Sequence, residues 1–387
     1  MNALRFSPHL LVALVVAALA VPLAAPPAAA QYFGRNKVQY DDFDFRVLET
    51  EHFDIYYYPE EEQGVRDAAR MAERWYARLS EILDHEFEDR KAIIFYADDA
   101  DFRQTNVIGG LVGEGVQGVT EGFKLRIVMP LTGSYAETSH VLGHELVHQF
   151  QYDIAQRNAQ FSNFIRLPLW IIEGMAEYFS VGREDVHTAM WLRDAVLRGA
   201  FPTLEQLSTD PRYFPYRYGQ AFWAYVGGTY GDEAAVNLFK TALQMPLDSA
   251  IVSVTGLTPD SLGARWGDLV EETYTPLMAG MAAPPYEGDA LDAEAAPLEA
   301  LALEPLPGRR VLARDVDAGD VNVAPTVSPD GRYVVFLSER DLFGIDLFLA
   351  DAQTGQILKK LESVGTDPHF DAIRFIESAG TWSPDGR

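Results

Sequence analysis

The chain has no cysteine. That absence excludes disulfide bridges, thiol catalysis and a lipid-modified N-terminal cysteine. Positive charge is also scarce: 31 Lys and Arg face 57 Asp and Glu, for a formal net charge of −26. Such a balance argues against nucleic acid or an anionic membrane as the main partner. It fits a solvated acidic surface, and it is compatible with cationic substrates. Long apolar runs are few. The run at 10–21 is too short for a comfortable membrane-spanning helix. Arg5 precedes it; Pro22, Pro26, Pro27 and the small-residue stretch Ala28-Ala29-Ala30 follow it, ahead of Gln31. We therefore expect a secretory signal over 1–30, a periplasmic or secreted protein, and no stable membrane span after signal cleavage. An exported chain without disulfides must draw its stability from packing and, where it has one, from a bound metal.

What is present points to a globular protein. The sequence is 387 residues long and 48% hydrophobic, enough for two domains and a sizeable core. Aromatic and β-branched residues over 45–58 predict a strand. Val65, Ala69, Met71, Trp75, Leu79 and Leu83 fall near helical spacing, so 63–83 predicts a helix. Residues 91–96 and 123–130 predict two more strands. The glycine-rich stretch 109–118 between them predicts a loop. From the next helix onward the pattern is helical to about Tyr274, clearest over 217–243 and 259–274, with Gly256 and Pro259 marking the gap. Residues 282–310 are Ala-, Pro- and acid-rich and read as a linker.

Histidine is rare, 8 residues in all, yet two of them stand four apart in His144-Glu145-Leu146-Val147-His148. On a helix that spacing stacks both imidazoles on one face, where one tetrahedral Zn²⁺ can take both. Glu145 then projects beside the metal, placed to take a proton from water. Val141, Leu142, Leu146, Val147 and Phe150 give the helix its buried sides, and Thr138 and Ser139 are candidate N-caps. Glu173, within Trp170-Ile171-Ile172-Glu173-Gly174-Met175-Ala176-Glu177-Tyr178, is the candidate third ligand, with a fourth position left for water. The bland alternative is a buried helix whose histidines bond to their neighbours. His140 lies one turn before His144 on the same stripe, where it could line the site rim, but a first-turn residue with no role is the expectation. His52, His85, His187 and His369 lack ligand-like spacing.

These motifs resemble the gluzincin metallopeptidases, in particular the aminopeptidase N-like and peptidase MA-like families. The similarity covers roughly 45–274 in layout and is specific at three places. The resemblance implies that His144, His148 and Glu173 bind one Zn²⁺ and that Glu145 is the general base. It implies that Tyr216, in Tyr216-Arg217-Tyr218-Gly219, donates a hydrogen bond to the oxyanion; Tyr213 and Tyr218 are its neighbours and alternatives, and aromatic packing with Phe214 and Phe222 is the plainer reading. It implies that Glu177 accepts a hydrogen bond from a ligand histidine, against the reading of a surface carboxylate. Two departures stand out. The 24 residues between His148 and Glu173 exceed the eighteen common in aminopeptidase N relatives. The Gly-x-Met-Glu-Asn element that holds a substrate amine is missing, with Glu114 and Glu121 as weak substitutes. An endopeptidase is therefore expected, with 123–129 as an edge strand for an extended peptide.

The last portion carries a repeat. Ala324-Pro325-Thr326-Val327-Ser328-Pro329-Asp330-Gly331-Arg332 returns as Ala379-Gly380-Thr381-Trp382-Ser383-Pro384-Asp385-Gly386-Arg387. Pro-Asp-Gly suits a tight turn between paired strands, and strands are expected at 333–337, 346–349 and 357–361. The unit resembles TolB-like, WD40-like propeller repeats, which implies a platform for a protein partner. The expected architecture is thus α+β: a signal (1–30), a zincin-like metallopeptidase domain with a small N-terminal sheet and helical C-terminal subdomain (31–281), a linker (282–310), and the start of a propeller (311–387), truncated because one blade cannot close a ring. The expected function is an exported zinc peptidase acting on peptides or proteins. The alternative is a catalytically silent, zinc-stabilised scaffold.

Overall fold

A computed structural model describes residues 42–108, 112, 116–278, 311–312, 319, 322–340, 345–362 and 380–386. The expected signal, Glu114, the linker and His369 lie outside the described residues. The fold is mixed α+β with two separate sheets.

The first sheet has five strands: β1 (Arg46–Glu49), β2 (Phe53–Tyr57), β3 (Lys91–Tyr96), β4 (Val119–Glu121) and β5 (Arg126–Pro130), in the order β1-β2-β3-β5-β4. The single strand expected over 45–58 is instead a hairpin, β1 antiparallel to β2. Its turn closes where Thr50 donates from its backbone to Phe53 at 2.9 Å. β2 and β3 are parallel, so the chain must cross over between them, and helix α1 (Glu62–Leu83) makes that crossing. Val65, Ala68, Ala72, Leu79 and Leu83 are fully or nearly fully buried beneath it, against Phe53 and Ile55 of β2. Each such large side chain contributes roughly 1.5–3 kcal/mol by leaving water.

The strand expected over 123–130 begins only at Arg126, because 122–125 form a turn in which Leu125 has φ 51. It is not an edge. β5 is paired on one side with β3 and on the other with β4, and its Ile127, Val128 and Met129 are fully buried. Alternation explains the misreading: Phe123 and Leu125 continue the apolar pattern, yet Phe123 is 85% exposed. The edge on this side of the sheet is the three-residue strand β4, and β1 is the other edge.

Helix α2 (Tyr135–Arg157) follows. It is buried on nearly all sides from Val141 to Phe150, so apolar residues surround its polar motif. It starts earlier than Thr138 and Ser139 suggest, with Ser134 in the cap position. Thr138 instead bonds side chain to side chain with Thr132 at 2.8 Å. Beyond it come α3 (Leu169–Val181), α4 (Val186–Leu197), α5 (Leu204–Thr209), α6 (Pro215–Tyr230), α7 (Asp232–Ala242), α8 (Leu247–Thr255) and α9 (Pro259–Met278). The expected helix over 217–243 is broken at Gly231, whose φ of 95 stops α6 and starts α7. These helices share one core with α1 and the inner face of the sheet. Among the described residues, no helix is long and apolar enough to cross a membrane.

The second sheet is a four-stranded antiparallel meander: β6 (Asn322–Val327), β7 (Tyr333–Ser338), β8 (Asp346–Asp351) and β9 (Ile357–Glu362). The repeat motif forms its first turn. Ser328 Oγ donates to Asp330 Oδ1 at 2.6 Å, Tyr333 N donates back to Ser328 Oγ at 3.0 Å, and Gly331 takes φ 71. The second copy repeats the Ser-to-Asp bond at 2.7 Å, and its Trp382 donates to the Thr326 carbonyl at 3.1 Å. The described sheet is open; no ring closes among the described residues.

Candidate metal centre

His144 and His148 lie one turn apart on α2 with their rings 4.7 Å apart. Their Nε2 atoms approach to 3.1 Å. Glu173 of α3 points into the same space: its Oε2 is 3.2 Å from His144 Nε2 and 3.0 Å from His148 Nε2. Three potential ligand atoms thus form a near-equilateral triangle.

Two glycine contacts set this geometry. A Cβ on Gly143 would fall 2.6 Å from the Trp75 ring, so the glycine lets α1 press on α2, where Trp75 also donates to Ser139 Oγ at 3.1 Å. The second contact is the crossing of α3 and α6. A Cβ on Gly174 would fall 2.3 Å from the Gly219 carbonyl carbon, and one on Gly219 would fall 2.2 Å from the Trp170 oxygen. Only two glycines let these backbones meet. The crossing brings Tyr216, one turn before Gly219, beside Glu173, one residue before Gly174.

The outer nitrogens fix the tautomers. Gln151 Nε2 donates to the Ile172 carbonyl at 3.2 Å, so Gln151 Oε1 is left as an acceptor, 2.9 Å from His148 Nδ1. His148 Nδ1 therefore carries the proton. His144 Nδ1 lies 3.0 Å from Glu177 Oε1, a close charge-pair approach rather than a well-aligned hydrogen bond, and it too must be the protonated nitrogen. Both Nε2 atoms then present lone pairs to each other and to a carboxylate oxygen. Three converging lone pairs repel unless a cation or a proton lies among them.

Without a cation, protonation is the remedy. Burial lowers the His144 pKa, but Glu173 and Glu177 outweigh it and the imidazole is pushed up to about 10. His148 moves up as well, burial again opposed by Glu173. Burial raises the Glu173 and Glu177 carboxyls, yet the facing imidazoles hold both well below the usual carboxylate range. A divalent cation would replace that proton with a stronger, better centred charge. The residues fit a metal ion.

Glu145 is 6% exposed and takes no part in the triangle. Its Oε2 accepts a 2.6 Å bond from Thr120 Oγ1 of β4. The chain entering β4 is tight against it: a Cβ on Gly118 would lie 2.9 Å from Glu145 Oε1. The sheet's edge strand and the motif helix therefore meet at this carboxylate. Of the three tyrosines, Tyr216 is the one at the triangle. Its ring stacks on His144 with centroids 5.8 Å apart and planes 13° apart, and burial followed by the nearby Glu173 charge pushes its hydroxyl pKa far up. It stays a neutral donor. Tyr218 is buried, edge-on to Tyr213, at 5.5 Å, in an aromatic cluster with Trp191 and Phe201.

Glu177 is not a surface carboxylate; it is 4% exposed. Besides His144 it meets His140 Nε2 at 3.5 Å and Arg217 Nη1 at 3.0 Å. His140 thus joins the site despite the expectation that it has no role. Among the described residues, His140, His144 and Glu177 form a second group compact enough to hold a metal, beside His144, His148 and Glu173. Sequence reasoning missed Thr120, Gln151 and Arg217. Gln151 had a signal, its i+3 spacing from His148; Thr120 and Arg217 come from distant elements and had none. Glu121 is paired with Arg126, so it is not a free acid awaiting an amine. His52 stacks on Tyr76 and pairs with Glu73 at 2.6 Å, and His85 pairs with Asp153 at 2.7 Å, both far from ligand geometry.

No protein-family model matches the chain, and no curated protein matches it.

Proposed function

We propose that the chain is a zinc-dependent peptidase that hydrolyses peptide bonds within extended chains. The observation that carries this reading is the triangle of His144 Nε2, His148 Nε2 and Glu173 Oε2 with edges of 3.0–3.2 Å. Ligand atoms ~2.0–2.1 Å from a tetrahedral ion stand roughly 3.3 Å apart, so His144, His148 and Glu173 would hold one Zn²⁺ with little movement and would leave room for water. Three nitrogen and carboxylate ligands with that room left are the arrangement of a catalytic rather than a structural site.

When bound, Zn²⁺ supplies Lewis acidity that makes water acidic enough to attack at neutral pH and draws charge from a carbonyl oxygen. Glu145, beside the triangle, accepts the proton that the attacking water loses. It delivers that proton to the leaving amine as the C–N bond breaks. Thr120 fixes the Glu145 carboxylate through its 2.6 Å bond. The Tyr216 hydroxyl, kept protonated by its surroundings, donates to the oxygen on which charge develops, a contribution of ~3–4 kcal/mol. β4 is one of the two edge strands of the sheet, pairs with β5 alone among the described residues and lies at Glu145, so it offers the backbone partner for an extended peptide. Export, with the C-terminal sheet as the first blade of a partner-binding propeller, belongs to the same proposal.

The test is incubation of the full chain with an unfolded protein substrate, with and without a chelator, beside a metal count. One zinc per chain and chelator-sensitive cleavage are expected. One zinc with no cleavage across varied substrates overturns the peptidase and favours a silent scaffold.

A further inference from the structure

We propose that Arg217 is a positioning residue of the metal centre: it holds Glu177 against the outer nitrogen of His144 and so sets how tightly the His144–His148–Glu173 triangle takes a divalent cation. The inference rests on the metal reading above, not on peptidase activity.

Glu177 stands at the centre of a buried line of charge. Its Oε1 faces His144 Nδ1 at 3.0 Å and His140 Nε2 at 3.5 Å; its Oε2 accepts from Arg217 Nη1 at 3.0 Å. A buried carboxylate needs a compensating charge. His144 cannot supply it while ligating, because a ligand imidazole is neutral. Of the groups that these ion pairs place on Glu177, Arg217 alone carries a permanent charge. The guanidinium stabilises the carboxylate from behind, and the other oxygen remains aimed at His144. Without Arg217, Glu177 becomes an unbalanced anion that turns towards water. His144 then loses the acceptor that fixes its tautomer and ring, and such losses typically weaken metal binding 10–100-fold.

The same contact bears on the second group. His140, His144 and Glu177 are compact enough to hold a metal, but Arg217 already places a positive charge on Glu177. One metal per chain is therefore expected, not two.

A purely structural role is the rival. Arg217 Nη1 also lies 3.3 Å from Asp185 Oδ2, which caps α4 by accepting from Thr188 N at 2.6 Å. Arg217 could thus serve only to tie α6 to the start of α4. Substitutions separate the two roles.

Zn²⁺ is titrated into the full chain in competition with a chromogenic chelator, for the parent, R217Q, R217K, E177Q, R217Q/E177Q and D185N. The parent is expected to bind one equivalent. R217Q should bind it 10–100-fold more weakly, and R217K, which keeps the charge without the planar fork, should fall between. The double variant should be no weaker than E177Q, since both changes remove one contact. D185N should lower the melting temperature and leave zinc affinity unchanged. Equal affinity in R217Q and the parent, or a double-variant loss equal to the product of the single losses, overturns the proposal. R217K against E177Q decides the matter if R217Q does not fold. A parent that binds no zinc overturns the metal site itself; a parent that binds it beside an unaffected R217Q overturns this inference alone.

Discussion

Helix α2 carries two buried ionic clusters, and they satisfy their charge in opposite ways. Asp153, five residues beyond His148, is met by His85 Nε2 at 2.7 Å, Lys91 Nζ at 2.8 Å and Arg157 Nε at 2.9 Å. Burial raises its pKa, but these partners hold it below the usual carboxylate range. That cluster is complete within the chain. At His144, His148 and Glu173, no lysine or arginine forms an ion pair with Glu173 among the described residues; the carboxylate is met by imidazole nitrogens alone, which must share a proton or a bound cation with it. One cluster supplies its own cations and ties β3 to α2. The other leaves a place for a cation from outside. The difference separates a self-contained charge cluster from one that could hold a metal more cleanly than residue types do, since both contain histidine and carboxylate.

The comparison breaks most visibly on the catalytic side. Glu145→Gln should keep zinc and lower kcat by roughly 10²–10⁴-fold, whereas His148→Ala should lose both metal and turnover. Peptide turnover paired with a metal count reads both. A Glu145→Gln protein as fast as the parent removes Glu145 as the base. On the structural side, Asp153→Asn should cost about 3–5 kcal/mol, because it strands Lys91 and Arg157 beside a neutral group. Its zinc affinity should match the parent's. Denaturant titration and zinc titration of the same variant check the pair, and a large drop in zinc affinity would show that the two clusters are one unit.

Tyr216→Phe sharpens the distinction between holding metal and using it. The ring still stacks on His144, so affinity should hold, while loss of the hydroxyl should lower kcat by roughly 10²–10³-fold. Adding zinc to the metal-free protein should raise its stability by ~2.7 kcal/mol at a hundred times Kd. The shift should vanish in His148→Ala and persist in Asp153→Asn. Thermal melts with and without zinc give the answer.

What the sequence made legible is mostly local. The His144–His148 spacing, α1, the 91–96 strand and the Ser-Pro-Asp-Gly turn follow from neighbours a few residues apart, and the structure has the elements at those places. Their periodicity and turn chemistry are properties of a short window. The misreadings come from interactions across the fold. Apolar alternation ran through Phe123 into β5, but pairing partners decide which strand is the edge. Helical patterning ran through Gly231, and only its positive φ ends α6. Arg217 stands inside Tyr216-Arg217-Tyr218-Gly219, yet its partner Glu177 lies 40 residues away and no spacing rule connects them. The glycines at 174 and 219 were visible as letters; that each excludes a Cβ because of the other needs the crossing of two helices.

Glu61 supplies a third buried charge that neither cluster's solution reaches. It lies in the short turn Pro59–Glu61 between β2 and α1 and is 5% exposed. Oε1 accepts from the Tyr58 backbone at 3.1 Å, and Oε2 has no hydrogen-bond partner among the described residues. Burial, with Asp101 and Asp98 adding like charge, pushes its pKa up to about 8 from an ordinary 4.5. The sign follows from linkage. Between those two values the folded chain holds a proton that the unfolded chain has released, so this residue's contribution to stability falls as pH rises from about 4.5 to about 8 and then levels off. Glu61→Gln keeps the acceptor for Tyr58 and removes the titration. The variant should match the parent near pH 4.5 and exceed it by several kcal/mol above pH 8, up to about 5 kcal/mol for a shift of this size. Denaturant unfolding of both proteins at pH 5 and pH 9 measures the difference. Two curves that stay parallel across that range would mean the carboxyl is ionised in the fold and that a partner outside the described residues offsets its charge.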